Sequence, residues 1–128
     1  MTGPRFFAGF LAVSVAIVGY GLIAAGGADM DTRFVDAKQE CAEHDEYVTV
    51  LDGGAGMSIQ GWGDESDGTD LATVACVLSE LGVPESVVVR IDQTRALDGT
   101  QTAEWDGIAA SWTYHPDVGL SLVMEVEQ

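Results

Sequence analysis

Two histidines, each close to an aspartate, are the first residues of this 128-residue chain whose types could move a proton. His44 precedes Asp45, and His115 stands two positions before Asp117; a His–Asp pair is the usual start of a general base. A base needs a group to activate, and neither histidine is accompanied by GxSxG or a comparable nucleophile context. His115-Pro116-Asp117 also reads as a turn, with Pro fixing φ and Asp capping the bend. Among 21 Asp and Glu some pair must fall at the separation glycosidases use, so acid pairs here say nothing about hydrolysis. The sequence therefore reads as a non-enzymatic protein with no cofactor, and a small extracytoplasmic hydrolase using His115 or His44 is the alternative.

Metal chemistry has two candidate segments. Cys41 and His44 are spaced CxxH and Cys76 could add a third ligand, but the doubled motif of structural zinc sites is missing. Residues 63–70, GDESDGTD, hold four acids in eight positions. Aligning Gly68 with the invariant glycine of an EF-hand puts Gly63 and Val74 where acidic ligands are required, so that motif fails. A calcium-stabilised module of another kind is a further alternative. Acids are favoured before a helix in any case, and Asp67 or Thr69 as N-cap with Asp70 in the first turn accounts for most of the cluster. Asp64, Glu65, Asp67 and Asp70 are nonetheless the candidate contact residues. Trp62, flanked by Gly61 and Gly63, joins them as the tryptophan expected to be exposed, whereas Trp105 and Trp112 suit a sheet core. The Gly-rich run at 52–56 lacks the Lys and Ser/Thr of a phosphate-binding loop and reads as a turn.

Charge narrows the partners. Residues 29–128 contain all 21 acids against Arg33, Lys38, Arg90 and Arg95, a formal charge of −17. Such a surface repels nucleic acid and anionic headgroups and suits another protein or a cationic ligand.

The elements that must position these residues form an α+β domain. Helices are expected over 31–43, 70–81 and 84–94, the last because Pro84 and Glu85 suit a first turn even though Val87, Val88, Val89 and Ile91 also favour a strand. In the second, Leu71, Val74, Ala75, Leu78 and Leu81 make one stripe and Gly82 and Pro84 stop the helix. Strands 47–51 and 57–62 flank the glycine turn. A three-stranded meander closes the chain: 101–105, the Asp106-Gly107 turn, 108–114, and 120–127. Its alternation puts Ala103, Trp105, Ile108, Ala110, Trp112, Tyr114, Leu120, Leu122, Met124 and Val126 on one face, against the second helix. Cys76 falls off the apolar stripe, where a free buried thiol has no place, and a bridge to Cys41 explains the position.

The stretch Thr94-Arg95-Ala96-Leu97-Asp98-Gly99, then Ala103-Glu104-Trp105-Asp106-Gly107, then Trp112-Thr113-Tyr114-His115-Pro116-Asp117 resembles small uncharacterised exported or membrane-anchored proteins of high-GC bacteria and their phages. The resemblance runs from the helix at 70 onward. It implies helices first and a meander last, and a helix over 84–94. It brings no activity with it, so no functional residue is transferred.

Compartment is read from the N-terminus. Residues 6–28 are 23 consecutive positions without a charge, after Arg5 and before Asp29. Residues 6–25 alone, at about 1.5 Å each, are long enough to cross a hydrocarbon core of about 30 Å. The domains are therefore 1–28, an anchor or signal segment, and 29–128, an acidic extracytoplasmic domain. Length favours an uncleaved single-pass anchor with the N-terminus inside; secretion after cleavage at Gly26 or Ala28 is the alternative. Fractionation with N-terminal sequencing should find Met1 in the membrane fraction, whereas a soluble product beginning at Gly27 or Asp29 would establish cleavage.

Overall fold

The computed structural model describes residues 31–127, so the expected membrane span at 6–25 lies outside the described residues. Within them no helix is long and apolar enough to cross a membrane. In chain order the elements are α1 (Arg33–Cys41), β1 (Val48–Leu51), β2 (Gly56–Gln60), α2 (Leu71–Glu80), α3 (Glu85–Asp92), β3 (Gln101–Trp105), β4 (Ile108–His115) and β5 (Gly119–Val126). The α+β class is as expected: three helices and one antiparallel sheet of five strands in the order β1-β2-β5-β4-β3.

The meander follows from its turn and its alternation. Asp106 and Gly107 both have positive φ, 41° and 77°, the backbone that a two-residue hairpin needs. The register then pairs Trp105 with Ile108, and across the next turn Trp112 with Leu122 and Tyr114 with Leu120. β2 adds to the free side of β5, with Met57 opposite Met124 and Ile59 opposite Leu122. One face of the sheet therefore carries Val48, Met57, Ile59, Ile108, Trp112, Leu122 and Met124, all at 1% exposure or less.

The helices cover that face. Phe34 and Ala37 of α1 and Val87 and Ile91 of α3 are buried, and Pro84 takes the N-cap position of α3 at φ −60°. The segment at 84–94 is thus helical despite its three consecutive valines. In α2 the buried residues are Val74, Val77 and Leu78, followed by Leu81 at its C-cap, while Leu71 is 73% exposed and Ala75 is exposed as well. The expected stripe is corrected by a partial turn of the helix. Both stripes share Val74, Leu78 and Leu81, and the choice between Leu71 and Val77 is made by α1, which packs beside α2 and extends the core to the Val77 side.

Two indole N–H groups find partners inside. Trp105 Nε1 donates to the Leu81 carbonyl at 3.2 Å, at the end of α2, and Trp112 Nε1 donates to Thr94 Oγ1 at 2.8 Å. Thr94 passes its own proton to the Arg90 carbonyl at 2.6 Å, so this buried hydroxyl both accepts and donates. Arg90 lies 5.4 Å from the Trp112 ring centroid and also donates to the Thr102 carbonyl at 2.9 Å, linking α3 to β3.

Cys41, the last residue of α1, is disulfide-bonded to Cys76 of α2, with Cα atoms 5.7 Å apart. Both sulfurs are thereby removed from metal chemistry, which overturns the CxxH alternative with His44. The bridge closes a sequence separation of 35. A loop of that length stabilises by about 3–4 kcal/mol in the chain-entropy model. Urea unfolding of the Cys41→Ala/Cys76→Ala double variant should show a loss of that order, and the reduced native protein should match it.

Candidate functional site

After β2 the chain runs into a segment held by backbone bonds at every turn. The Gly61 N–H donates to the Leu120 carbonyl at 2.7 Å, and Asp64 and Glu65 donate their N–H groups to the carbonyls of Pro116 and Asp117 at 2.9 Å each. Gln60 Nε2 reaches the Val118 carbonyl at 2.7 Å. The acidic loop at 63–70 therefore lies directly against the His115–Gly119 turn.

Glycine makes that approach possible. A Cβ on Gly119, whose φ is +87°, would sit 2.6 Å from the Trp62 carbonyl oxygen. Side chains at Gly63 and Gly68 would meet the backbone of Val118 and of Gly61 respectively. These positions tolerate no larger residue without moving one strand end off the other.

The far end of the loop is tied to α1 and β1. Thr69, 4% exposed, donates its hydroxyl to Asp45 Oδ2, and its N–H donates to the Gln60 carbonyl at 2.9 Å. Asp45 Oδ1 accepts the Tyr47 N–H at 2.8 Å, and its carbonyl accepts from Lys38 Nζ at 2.6 Å. Asp45 is thus a clasp for the loop, not the partner of His44. His44 is exposed and faces Glu43 at 3.4 Å.

His115 is likewise spent on its turn. Its Nδ1 accepts the Asp117 N–H at 3.1 Å, which leaves the Asp117 carboxylate at 3.9 Å. Among the described residues neither histidine is hydrogen-bonded to a hydroxyl or thiol nucleophile. No group of three or more His, Cys, Asp or Glu among the described residues is arranged to hold a metal ion.

The remaining candidate residues separate into two kinds. Asp70, not Asp67 or Thr69, is the N-cap of α2, and its Oδ1 accepts the Thr73 N–H at 2.8 Å. That backbone hydrogen bond, with a smaller contribution from the Thr73 side chain, holds the Asp70 carboxyl below the usual range. Asp64, Glu65 and Asp67 are exposed and have no ion-pair partner among the described residues. Trp62, at their start, is 63% exposed, as expected from its two flanking glycines. Asp67 is near Tyr47: desolvation first, then the charges of Asp67, Glu46 and Asp45, push the Tyr47 phenol up. The site is thus an aromatic side chain followed by three unpaired carboxylates on a backbone fixed at both ends.

Sequence reasoning missed the Asp45 clasp and the turn that backs the loop. The signal for the second was present in Gly63, Gly68 and Gly119, whose close approaches become visible only once the two segments are paired.

Comparison with protein-family models, with curated proteins and with solved structures finds no match for the chain.

The Asp70 cap has a pH signature. Because its folded-state pKa is depressed, its stabilisation is complete above the ordinary aspartate value of about 3.9 and is lost as pH falls through the lower folded value. Thermal unfolding of Asp70→Ala should give a lower Tm than the parent protein at pH 7, and the gap should close below about pH 4.

Proposed function

We propose that this protein is a non-catalytic binding domain, displayed outside the membrane on its N-terminal segment, that recognises a cationic surface on another protein through Trp62, Asp64, Glu65 and Asp67. The observation that carries this reading is the pre-formed acidic loop: its backbone is hydrogen-bonded to the His115–Gly119 turn while its carboxylates stay exposed without cations. Ordering such a loop before contact removes part of the entropic cost of association. Exposed tryptophan beside unpaired charge is the combination that anchors and orients a partner.

Trp62 gives a direct test, since Trp105 and Trp112 are 7% and 1% exposed and report the core. Adding hexalysine should shift the emission of Trp62, and the shift should vanish in Trp62→Phe. The triple variant Asp64→Asn/Glu65→Gln/Asp67→Asn should weaken binding by about tenfold or more, roughly 1.4 kcal/mol. Unchanged affinity in that variant would remove the loop as the site.

A further inference from the structure

Beside the acidic loop the two C-terminal helices leave a second feature. An open cleft of about 520 Å³ lies between α2 and α3, lined by Leu71, Ala75, Leu78, Val88, Ile91 and Leu120. That volume is in the range of ligand-sized sites and accommodates a few side chains of a partner. Leu71, at its edge, is 73% exposed, and Tyr114 is 37% exposed. Leu71 is the residue that the turn of α2 removed from the core, so a large apolar side chain stands in water at the mouth of an apolar groove. A single exposed leucine needs no explanation; one that continues a concave apolar lining marks a contact surface.

The charge around the cleft selects among occupants. Asp92 contributes to the lining and, among the described residues, makes no hydrogen bond or ion pair with a side chain. Asp70 directly precedes Leu71, and the loop acids Asp64, Glu65 and Asp67 precede it by a few residues. Thr94 offers nothing polar in compensation, because its hydroxyl is already engaged by Trp112 and Arg90. An apolar floor with Asp92 as its charged lining residue disfavours fatty acids and other anionic amphiphiles and matches apolar side chains flanked by cations.

We infer that the α2–α3 cleft receives apolar side chains of a basic polypeptide segment whose flanking Lys or Arg meet Asp92 and the acidic loop. This rests on the binding function proposed above and specifies its partner: a segment with adjacent leucine-like residues between basic ones. Burial of the apolar side chains supplies affinity that survives added salt, while the flanking charges supply the salt-sensitive part.

The test uses the full chain in nanodiscs of zwitterionic lipid and a hexapeptide with two central leucines flanked on each side by two lysines. Titration calorimetry should detect binding that weakens with salt, and a peptide with glutamates in place of the lysines should not bind. Ala75→Trp fills the cleft from an exposed helix position without changing charge, and should weaken binding about tenfold or more, roughly 1.4 kcal/mol. Leu71→Ser, at an exposed site, should act in the same direction, and unchanged Tm in both variants shows that the fold is kept. Equal affinity of parent and Ala75→Trp overturns the cleft assignment; if the loop variant still loses binding, the loop reading survives, and if neither variant loses it both readings fail. A chain that binds no peptide but forms a dimer abolished by Ala75→Trp would place a second copy in the cleft and overturn the proposal.

Discussion

The pairing of β2 with β5 is the constraint on which the rest of the domain depends. Gly56 to Gln60 lie opposite Glu125 to Ser121, so residues more than sixty positions apart must meet in register before either half has a complete core. The β1–β2 hairpin is not self-sufficient: two strands in water are marginal, and its apolar face is short. Once β5 lies between β2 and β4, Met57, Met124, Ile59 and Leu122 become one continuous apolar row. The same pairing delivers Gly61 and Trp62 to the β4–β5 turn, so the placement of the acidic loop is a by-product of closing the sheet. Of the chain between β2 and β3, the helices α2 and α3 then contribute to the core over that face.

Cations are scarce enough in this domain that each one is committed. Arg33 is paired with Asp31 and bonded to the Asp106 carbonyl, Lys38 holds the Asp45 carbonyl, Arg90 sits over Trp112, and Arg95 closes on Asp98 across 3.4 Å. Their roles are local and structural. None is spent on neutralising the loop at 63–70, so the negative potential of a chain with formal charge −16 is left undiluted at that end. The disulfide and the well-filled sheet face supply the stability that such self-repulsion would otherwise erode.

Much of this architecture is legible in the residues. The Asp106-Gly107 turn fixes the hairpin, alternation fixes which meander residues face inward, and the off-stripe position of Cys76 identifies its bridge to Cys41. These features are local, or pair segments with a single sensible partner. The orientation of α2 was not legible, because its sequence supports two overlapping apolar stripes and only the packed α1 decides between Leu71 and Val77. Nor was the role of Asp45. Its neighbour His44 suggests a catalytic pair, whereas Thr69, 24 positions later, is what it holds. For the candidate site, the exposed tryptophan and the acids could be read from composition and glycine placement, but the division between Asp70 as a cap and its neighbours as free carboxylates required the hydrogen bonds themselves.

The way the loop is fastened separates its shape from its chemistry. Its fixed points are main-chain N–H and carbonyl groups, the side chains of Gln60, Ser66 and Thr69, and three crowded glycines, while the side chains of Asp64, Glu65 and Asp67 take no part in holding it. Those three positions are therefore interchangeable without rebuilding the frame, whereas the glycines and the loop length are not. Such a segment can change its charge while its scaffold stays rigid, so that the surface it presents is rewritten a few exposed letters at a time.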